Sequence, residues 1–377
     1  AGILAYEQAL ARNPTHAPTM FNLAACLLDV GRDAQGENLY RAAIATDPRF
    51  APAYVNLGNC HFARGEYPQA LELYQGALAQ QADMPEALDA EAICLQRLGQ
   101  WQQAMRSNQK AMEVHGLQFD RVMRQVGIFE QLGQSTELAD FLTHITQAQA
   151  PDSPYHFVKA AKSQDGAAVP PVAPHAFVQA YFDWTAAAYD QSALSENYLL
   201  PAHLARHLQH LPEHTRVLDL GCGTGLLAAY PTQNPLHFTG VDLSSAMLVY
   251  AQQRNAYSDI KQQALEYFCA QSAPAAYDVV VAAELLPYLG RPEGLLAQVH
   301  SVLKEGGLLY LSLEHHDSPA DDASIRLSRQ LRYTHSPVYV QGMAEKLGFA
   351  TRSSEEHIFR TTPQKAVKGT VLCFEKK

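Results

Sequence analysis

The run Thr215-Arg216-Val217-Leu218-Asp219-Leu220-Gly221-Cys222-Gly223-Thr224-Gly225 decides how the second half of this chain folds. An apolar segment that breaks into glycine at every second position predicts a β-strand running into a turn, where bare backbone approaches a ligand. Leu226 to Ala229 follow at once and read as the opening of a helix. The spacing is Gly-x-Gly-x-Gly, not the Gly-x-Gly-x-x-Gly of pyrophosphate binders. An acid, Asp219, precedes the first glycine by two.

Three further segments extend the pattern toward the C-terminus. Phe238-Thr239-Gly240-Val241-Asp242-Leu243-Ser244 is a second strand ending in an acid, and Ser244 predicts the N-cap of a helix through Met247 and Leu248. A carboxylate at that strand end has the geometry to accept both hydroxyls of a ribose. Tyr277 to Ala283 is β-rich and reads as the fourth strand, leading into Glu284-Leu285-Leu286-Pro287-Tyr288-Leu289. Leu303 to Glu314 reads as a Gly306-Gly307 turn and a fifth strand.

Together these segments resemble the class I S-adenosylmethionine (SAM)-dependent methyltransferases, and the resemblance covers roughly residues 175–377. It implies an α/β fold, a Rossmann-like seven-stranded methyltransferase domain with SAM as cofactor. It places Asp219, Gly221, Cys222, Gly223 and Gly225 around the amino-acid part of SAM and Asp242 at the ribose, with Leu243 beside it. It sets Met247 against the adenine, Leu265 as a backbone contact, and Glu284 where the family carries Asp. The third strand lacks the family's terminal Asp, since Gln263-Ala264-Leu265 stands there. Phe182-Asp183 and Ala188-Tyr189-Asp190 resemble the lid helices of the ubiquinone-, menaquinone- and biotin-pathway type, which puts Tyr189 near the reaction centre. Arg332-Tyr333-Thr334-His335-Ser336-Pro337-Val338-Tyr339 is similar to the tail of a bacterial family of methyltransferases that contain tetratricopeptide repeats (TPRs).

Methyl transfer asks the protein for in-line approach and exclusion of water, and for a base only where the nucleophile must lose a proton. Besides Tyr189, the candidates for chemistry are Glu314, His315 and His316 at the end of the fifth strand, followed by Asp317. Strand alternation forbids both histidines from facing the methyl. A catalytic histidine, a metal site and solvated loop residues are all open readings there, and no metal is assigned. Tyr181, Tyr288, Tyr333, His335 and Tyr339 are the candidates for contact with the acceptor. The Asn/Asp-Pro-Pro-Tyr signature of DNA and amide methylation is absent after the fourth strand.

The first half repeats. Gly31, Gly65, Gly99 and Gly133 recur every 34 residues, as do Ala9, Ala43, Ala77 and Ala111, and Tyr6, Tyr40 and Tyr74. Thirty-four is the TPR period, so residues 1–150 predict an α-solenoid of helix–turn–helix repeats. The register gives half a repeat at 1–16, repeats at 17–50, 51–84 and 85–118, and a degenerate one from 119 to about 150. An array that opens on a second helix predicts capping residues upstream. Cys26, Cys60 and Cys94 share the period and read as small packing residues rather than a redox set. Asn22 and Asn56 occupy one repeat position and resemble the asparagine ladder of O-linked N-acetylglucosamine transferase, which implies a grip on peptide backbone; Ala90 interrupts it. Between the halves, residues 145–175 lose the register, and within the linker at 151–174 Val169-Pro170-Pro171-Val172-Ala173-Pro174 predicts a stiff connection to the domain at 175–377.

Composition narrows the partners. A net charge of −10 and the lack of a Lys/Arg run argue against a sequence-blind nucleic-acid binder. No apolar run of membrane-spanning length and no secretory signal are present, which predicts a soluble cytoplasmic protein. None of the six cysteines forms a Cys-x-x-Cys pair. The favoured reading is a SAM-dependent methyltransferase acting at an O or N nucleophile of a peptide or protein held by the TPR wall. The others are a small-molecule methyltransferase that uses the TPRs as a docking platform, and a catalytically silent SAM-fold scaffold.

Overall fold

The computed structural model describes residues 2–163, 170–314, 325–361 and 366–377. They form two compact units, Ala1–Leu138 and Ala139–Lys377.

The first unit is the repeat array. A half repeat, α1 (Gly2–Arg12), precedes the pairs α2 (Ala17–Asp29) with α3 (Asp33–Thr46), α4 (Ala51–Ala63) with α5 (Tyr67–Gln80), and α6 (Pro85–Arg97) with α7 (Trp101–His115). A fourth pair, α8 (Phe119–Leu132) and α9 (Ser135–Gln147), matches the degenerate repeat, and the boundary between the units falls within α9. The periodic glycines make the turns: Gly31, Gly65, Gly99 and Gly133 all have φ between +68° and +77°, a conformation that costs other residues dearly. Ala43, Ala77 and Ala111 are fully buried, because a small side chain there lets the two helices of a pair touch. Tyr40 and Tyr74 fill the layer between neighbouring pairs. All six cysteines are free thiols.

The second unit opens with α10 (Pro154–Lys162), α11 (His175–Ser195) and α12 (Leu200–Leu208). Next come β1 (Arg216–Leu220), β2 (His237–Asp242), α13 (Ser245–Gln253), β3 (Asp259–Gln262), α14 (Leu265–Gln271), β4 (Tyr277–Ala282), α15 (Leu286–Leu289), α16 (Glu293–Val302) and β5 (Leu303–Glu314). A small hairpin, β6 (Ile325–Leu327) and β7 (Tyr333–His335), is followed by α17 (Pro337–Lys346), β8 (Phe349–Thr361) and β9 (Ala366–Lys376). The seven-stranded sheet has the order β3-β2-β1-β4-β5-β9-β8, with β9 alone running antiparallel to its neighbours. Alternate residues supply its two faces: Leu218, Val280 and Leu309 pack toward α16 and α17, whereas Val217, Val279 and Tyr310 pack toward α12. Burial on both faces is why these strands read as near-continuous apolar runs. Among the described residues no helix is long and apolar enough to cross a membrane.

Two local expectations give way. Leu226 to Ala229 form turns rather than a helix, with Tyr230 N–H donating to Leu227 O at 3.1 Å. Only five residues separate Gly225 from Pro231, too few for a helix before proline stops it. Within 151–174, residues Pro154–Lys162 are helical rather than extended. Ser153 caps α10 with Pro154 at its first position, and Tyr155, Phe157 and Val158 are buried, with the Phe157 ring 4.4 Å from that of Phe177. Beyond residues 164–169, which lie outside the description, the prolines are docked on the second unit. Pro170 O accepts from the Tyr333 hydroxyl at 2.6 Å and Pro171 O from Arg291 N–H at 2.8 Å. The missing N–H groups of proline are no loss in a strap held by its carbonyls.

Candidate functional site

A cavity of about 670 Å³ opens at the carboxyl ends of β1, β2 and β4, with α11 along one wall. The glycine turn forms its floor. Gly223 needs its glycine for conformation (φ +54°, with open space where a Cβ would be), and its N–H donates to Asp242 Oδ2 at 2.9 Å. At Gly225 (φ +82°) space matters as well, since a Cβ would lie 2.9 Å from the Tyr257 ring. Gly221 and Cys222 N–H both donate to Val241 O, tying the turn to β2.

Asp242 ends β2 and is nearly buried; Oδ1 accepts from Ser244 N–H at 2.8 Å. Gly223 and Ser244 N–H thus reach one carboxylate oxygen each, and the Leu243 backbone also favours the charged form. Burial raises its pKa, against the pull of those backbone donors. Ser244 caps α13, its Oγ accepting from Met247 N–H at 3.1 Å, and Met247 is fully buried at the cavity wall. Asp219 accepts from the Tyr257 hydroxyl at 2.7 Å. Burial pushes its carboxyl up to about 7, with the neighbouring Asp242 adding and Tyr257 opposing. Leu243, Ala264 and Leu265 also line the cavity.

The segment expected as a lid lies within α11, and two of its aspartates fasten it. Asp183 accepts from Ser244 Oγ at 2.6 Å and from Ala246 N–H at 3.2 Å, at the start of α13 where the helix dipole favours an anion. Asp190 accepts from Thr224 Oγ1 at 2.6 Å and pairs with Arg254. Tyr181, Phe182, Tyr189 and Tyr288 all face the cavity.

At the β4–β5 side, two guanidiniums meet two carboxylates. Arg332 donates to Glu314 through Nε (3.0 Å) and Nη2 (2.7 Å), to Glu284 through Nη2, and to the Tyr288 hydroxyl through Nη1, while lying 5.0 Å from the Tyr288 ring centroid. Arg360, on β8, donates to Glu284 Oε2 at 3.0 Å and to Glu314 Oε1. Burial works to raise the Glu284 carboxyl, but the Arg332 and Arg360 charges outweigh it and hold it below the usual range. Glu284 has φ +53°, and its N–H donates to Ser312 Oγ at 2.7 Å.

Several expected site residues stand elsewhere. Glu314 is buried with both oxygens held by arginine. Tyr333 and His335 are buried under the strap, the latter with Nε2 2.5 Å from Gly290 O, and the Tyr339 hydroxyl donates to Glu293 at 2.8 Å. None of these four lines the cavity. His315, His316 and Asp317 lie outside the described residues. In the repeat unit Asn22 is exposed, whereas the Asn56 amide donates to the Tyr40 hydroxyl at 3.0 Å. Arg332, Arg360 and the fastening roles of Asp183 and Asp190 carry no local signal in the sequence.

Comparison with known families fits this geometry. Residues 218–309 match the model of a methyltransferase domain, and residues 5–37 and 49–116 match tetratricopeptide-repeat models. The chain carries a class I methyltransferase domain and TPR repeats. It is similar to the ubiquinone biosynthesis O-methyltransferase of Pseudomonas aeruginosa, 33% identical over 101 residues, or 26% of this chain and 43% of that protein. The Xylella fastidiosa enzyme of the same name is also 33% identical over 101 residues, covering 26% and 41%. The chain therefore spans less than half the length of these relatives. Among solved structures, it resembles the Burkholderia thailandensis 1,6-didemethyltoxoflavin-N1-methyltransferase (19% identity, TM-score 0.44, covering 55% of this chain and 92% of that one). It also resembles YrrB, a TPR protein with an unusual peptide-binding site (22% identity, TM-score 0.37, covering 42% and 80%).

Proposed function

We propose that this chain is a SAM-dependent methyltransferase acting at an O or N nucleophile of a small acceptor, with the TPR array as a docking platform for a protein partner. The observation that carries the first part is Asp242, a carboxylate anchored by backbone donors at a cavity-lining position beside the glycine turn. That arrangement fits a ribose diol, Met247 and Leu265 fit an adenine, and the bare backbone of Gly221 to Gly225 fits the amino-acid end. When bound, SAM supplies an electrophilic methyl on a cationic sulfonium. The protein orients the acceptor beneath α11 and excludes water. A silent scaffold would need neither a carboxylate anchored at this position nor an open cavity.

The observation that favours a small acceptor is the state of the repeat positions. Asn56 is engaged with Tyr40, Ala90 interrupts the series, and Arg124 at the fourth equivalent position is tied to Asp89, Asn108 and Asp120. Only Asn22 stands exposed, which is too little for a backbone ladder. Replacing both Asn22 and Asn56 with alanine is accordingly expected to leave KM and kcat for the acceptor within about twofold. A severalfold rise in KM at constant kcat would restore the peptide-acceptor reading.

Asp219 gives the site a pH dependence. With its carboxyl raised to about 7, it is largely neutral at pH 6 and largely ionised at pH 8. Cationic SAM favours the ionised form, so affinity is expected to rise as pH climbs through about 7 and to flatten above it. In Asp219→Asn the slope should vanish. The same shift means that the unliganded fold loses stability between about pH 4 and pH 7, because the folded state binds the proton more tightly than the unfolded one. Calorimetric titrations at pH 6, 7 and 8 check the first expectation, and a pH-independent wild-type affinity would contradict it.

A further inference from the structure

The helix expected to act as a lid is held at three places along its length. Phe177 is fully buried, its ring 4.4 Å from that of Phe157. Asp183 is bonded to Ser244 and Ala246, and Asp190 to Thr224 and Arg254. The strap that leads into the helix is docked as well, through Pro170 O and Pro171 O. Swinging α11 off the cavity would unpack an aromatic contact and leave two carboxylates without their donors, and both steps are costly. Passage past this helix therefore falls to side chains.

One pair of side chains stands where such passage would occur. His175, in the first turn of α11, and Glu266, in the first turn of α14, both line the cavity. Their side chains are nevertheless 56% and 32% exposed, which puts them at the rim. His175 Nε2 lies 3.5 Å from Glu266 Oε2, so the pair bridges the two helices. Leu265, whose position fits the adenine, immediately precedes Glu266. Asp183 and Asp190 each hold two partners, whereas this contact is a single long ion pair in a wet setting, where opening costs little.

We propose that His175 and Glu266 form a side-chain gate at the adenine end of the cavity, through which the cofactor enters and leaves. The inference rests on the methyltransferase reading, which puts SAM in this cavity. The gate responds to pH. Glu266 raises the His175 pKa by hydrogen bonding to the imidazolium, against partial burial, and the imidazolium holds the Glu266 carboxyl below its usual range. The elements packed against this end of α11 also carry Tyr155, His156, Lys159 and Lys162 on α10 and Tyr267 on α14, while the strap carries no titratable side chain. Of all these groups, Glu266 is the one that shifts His175. The pair is largely charged at pH 6 and loses its positive member as pH rises through the His175 pKa. The gate is thus latched at low pH and loose at high pH.

The test measures entry and release of S-adenosylhomocysteine on the full chain by stopped-flow fluorescence, with Trp184 at the cavity wall as reporter, and the equilibrium by calorimetry. At pH 6, His175→Ala is expected to speed entry and release alike by about two- to fivefold. Kd should stay within about twofold, because a gate sets the barrier and leaves the bound ligand untouched. At pH 9 the variant and the wild type should match. Comparing the two chains at each pH cancels the titration of Asp219, which both share. Glu266→Gln should behave as His175→Ala does. His175→Lys, which stays charged, should keep entry and release slow at pH 9. Equal rates for wild type and His175→Ala at pH 6, or the same acceleration at pH 6 and pH 9, would overturn the proposal. A Kd raised about fivefold or more in Glu266→Gln would overturn it too, by making Glu266 a contact of the cofactor. Failure of the wild-type chain to bind S-adenosylhomocysteine at all would instead bring down the methyltransferase reading beneath it.

Discussion

Replacing Asp242 with alanine is expected to weaken SAM binding by roughly 30- to 1,000-fold, equivalent to roughly 2–4 kcal/mol, while the chain remains folded. The carboxylate is nearly buried and anchored by Gly223 and Ser244 N–H, so it is held in place for a diol. Its removal takes away a bidentate, charge-assisted contact that no neighbour replaces. The two backbone donors then lose their partner, so a drop of a few degrees in thermal midpoint should accompany the loss. Calorimetry with circular dichroism on the same sample separates the two effects. Unchanged affinity would remove the ribose from Asp242 and with it the placement of the cofactor.

The second large effect concerns Arg332. Its guanidinium bridges Glu284, Glu314 and Tyr288 inside the second unit, with a side chain only 16% exposed. Arg332→Met leaves two carboxylates buried with Arg360 as their remaining guanidinium. Breaking a buried ion pair from one side costs about 3–5 kcal/mol, which for a domain of this size lowers the thermal midpoint by about 10 °C. The pH dependence carries a sign. In the wild type, Glu284 is held low by the two arginines, so its contribution to stability is present above the unfolded carboxyl pKa and fades as pH falls through the folded one. In the variant, burial prevails and raises the Glu284 carboxyl, so the deficit against wild type should shrink as pH is lowered from 8 toward 5. Melting curves across that range check it, and a deficit that stays constant with pH would show that the loss is one of packing.

Much of the fold could be read from the sequence because it rests on local rules. The 34-residue period marks each helical pair, and left-handed glycines at Gly31, Gly65, Gly99 and Gly133 mark the turns. Strand alternation with burial on both faces made β1, β2, β4 and β5 recognisable. The helix expected at Leu226 failed on a signal that was present, the proline at 231. α10 failed similarly: Ser153-Pro154 is a good helix start and the apolar run at Tyr155, Phe157 and Val158 follows it, but the neighbouring prolines suggested a linker.

The site was half legible. Gly221, Gly223, Gly225, Asp219, Asp242 and Met247 converge because consecutive strand ends and one turn bring them together, and that geometry is written in short motifs. The charged cluster at the β4–β5 side is assembled from Glu284, Arg332 and Arg360, which stand on separate elements of the chain. Nothing local distinguishes Arg360 on β8 from any exposed strand arginine, and only tertiary pairing reveals it. For the same reason the aromatic and histidine residues of the tail, Tyr333, His335 and Tyr339, looked functional in sequence. In the fold they fasten the hairpin and α17 against Pro170, Gly290 and Glu293.

The central claim is that this cavity holds SAM, and titration of S-adenosylhomocysteine into the full wild-type chain by calorimetry tests it most directly. The account predicts saturable one-to-one binding in the micromolar range, weakened by roughly 30-fold or more in Asp242→Ala. Absence of binding to folded wild-type chain at millimolar S-adenosylhomocysteine, or equal binding to both proteins, would contradict it.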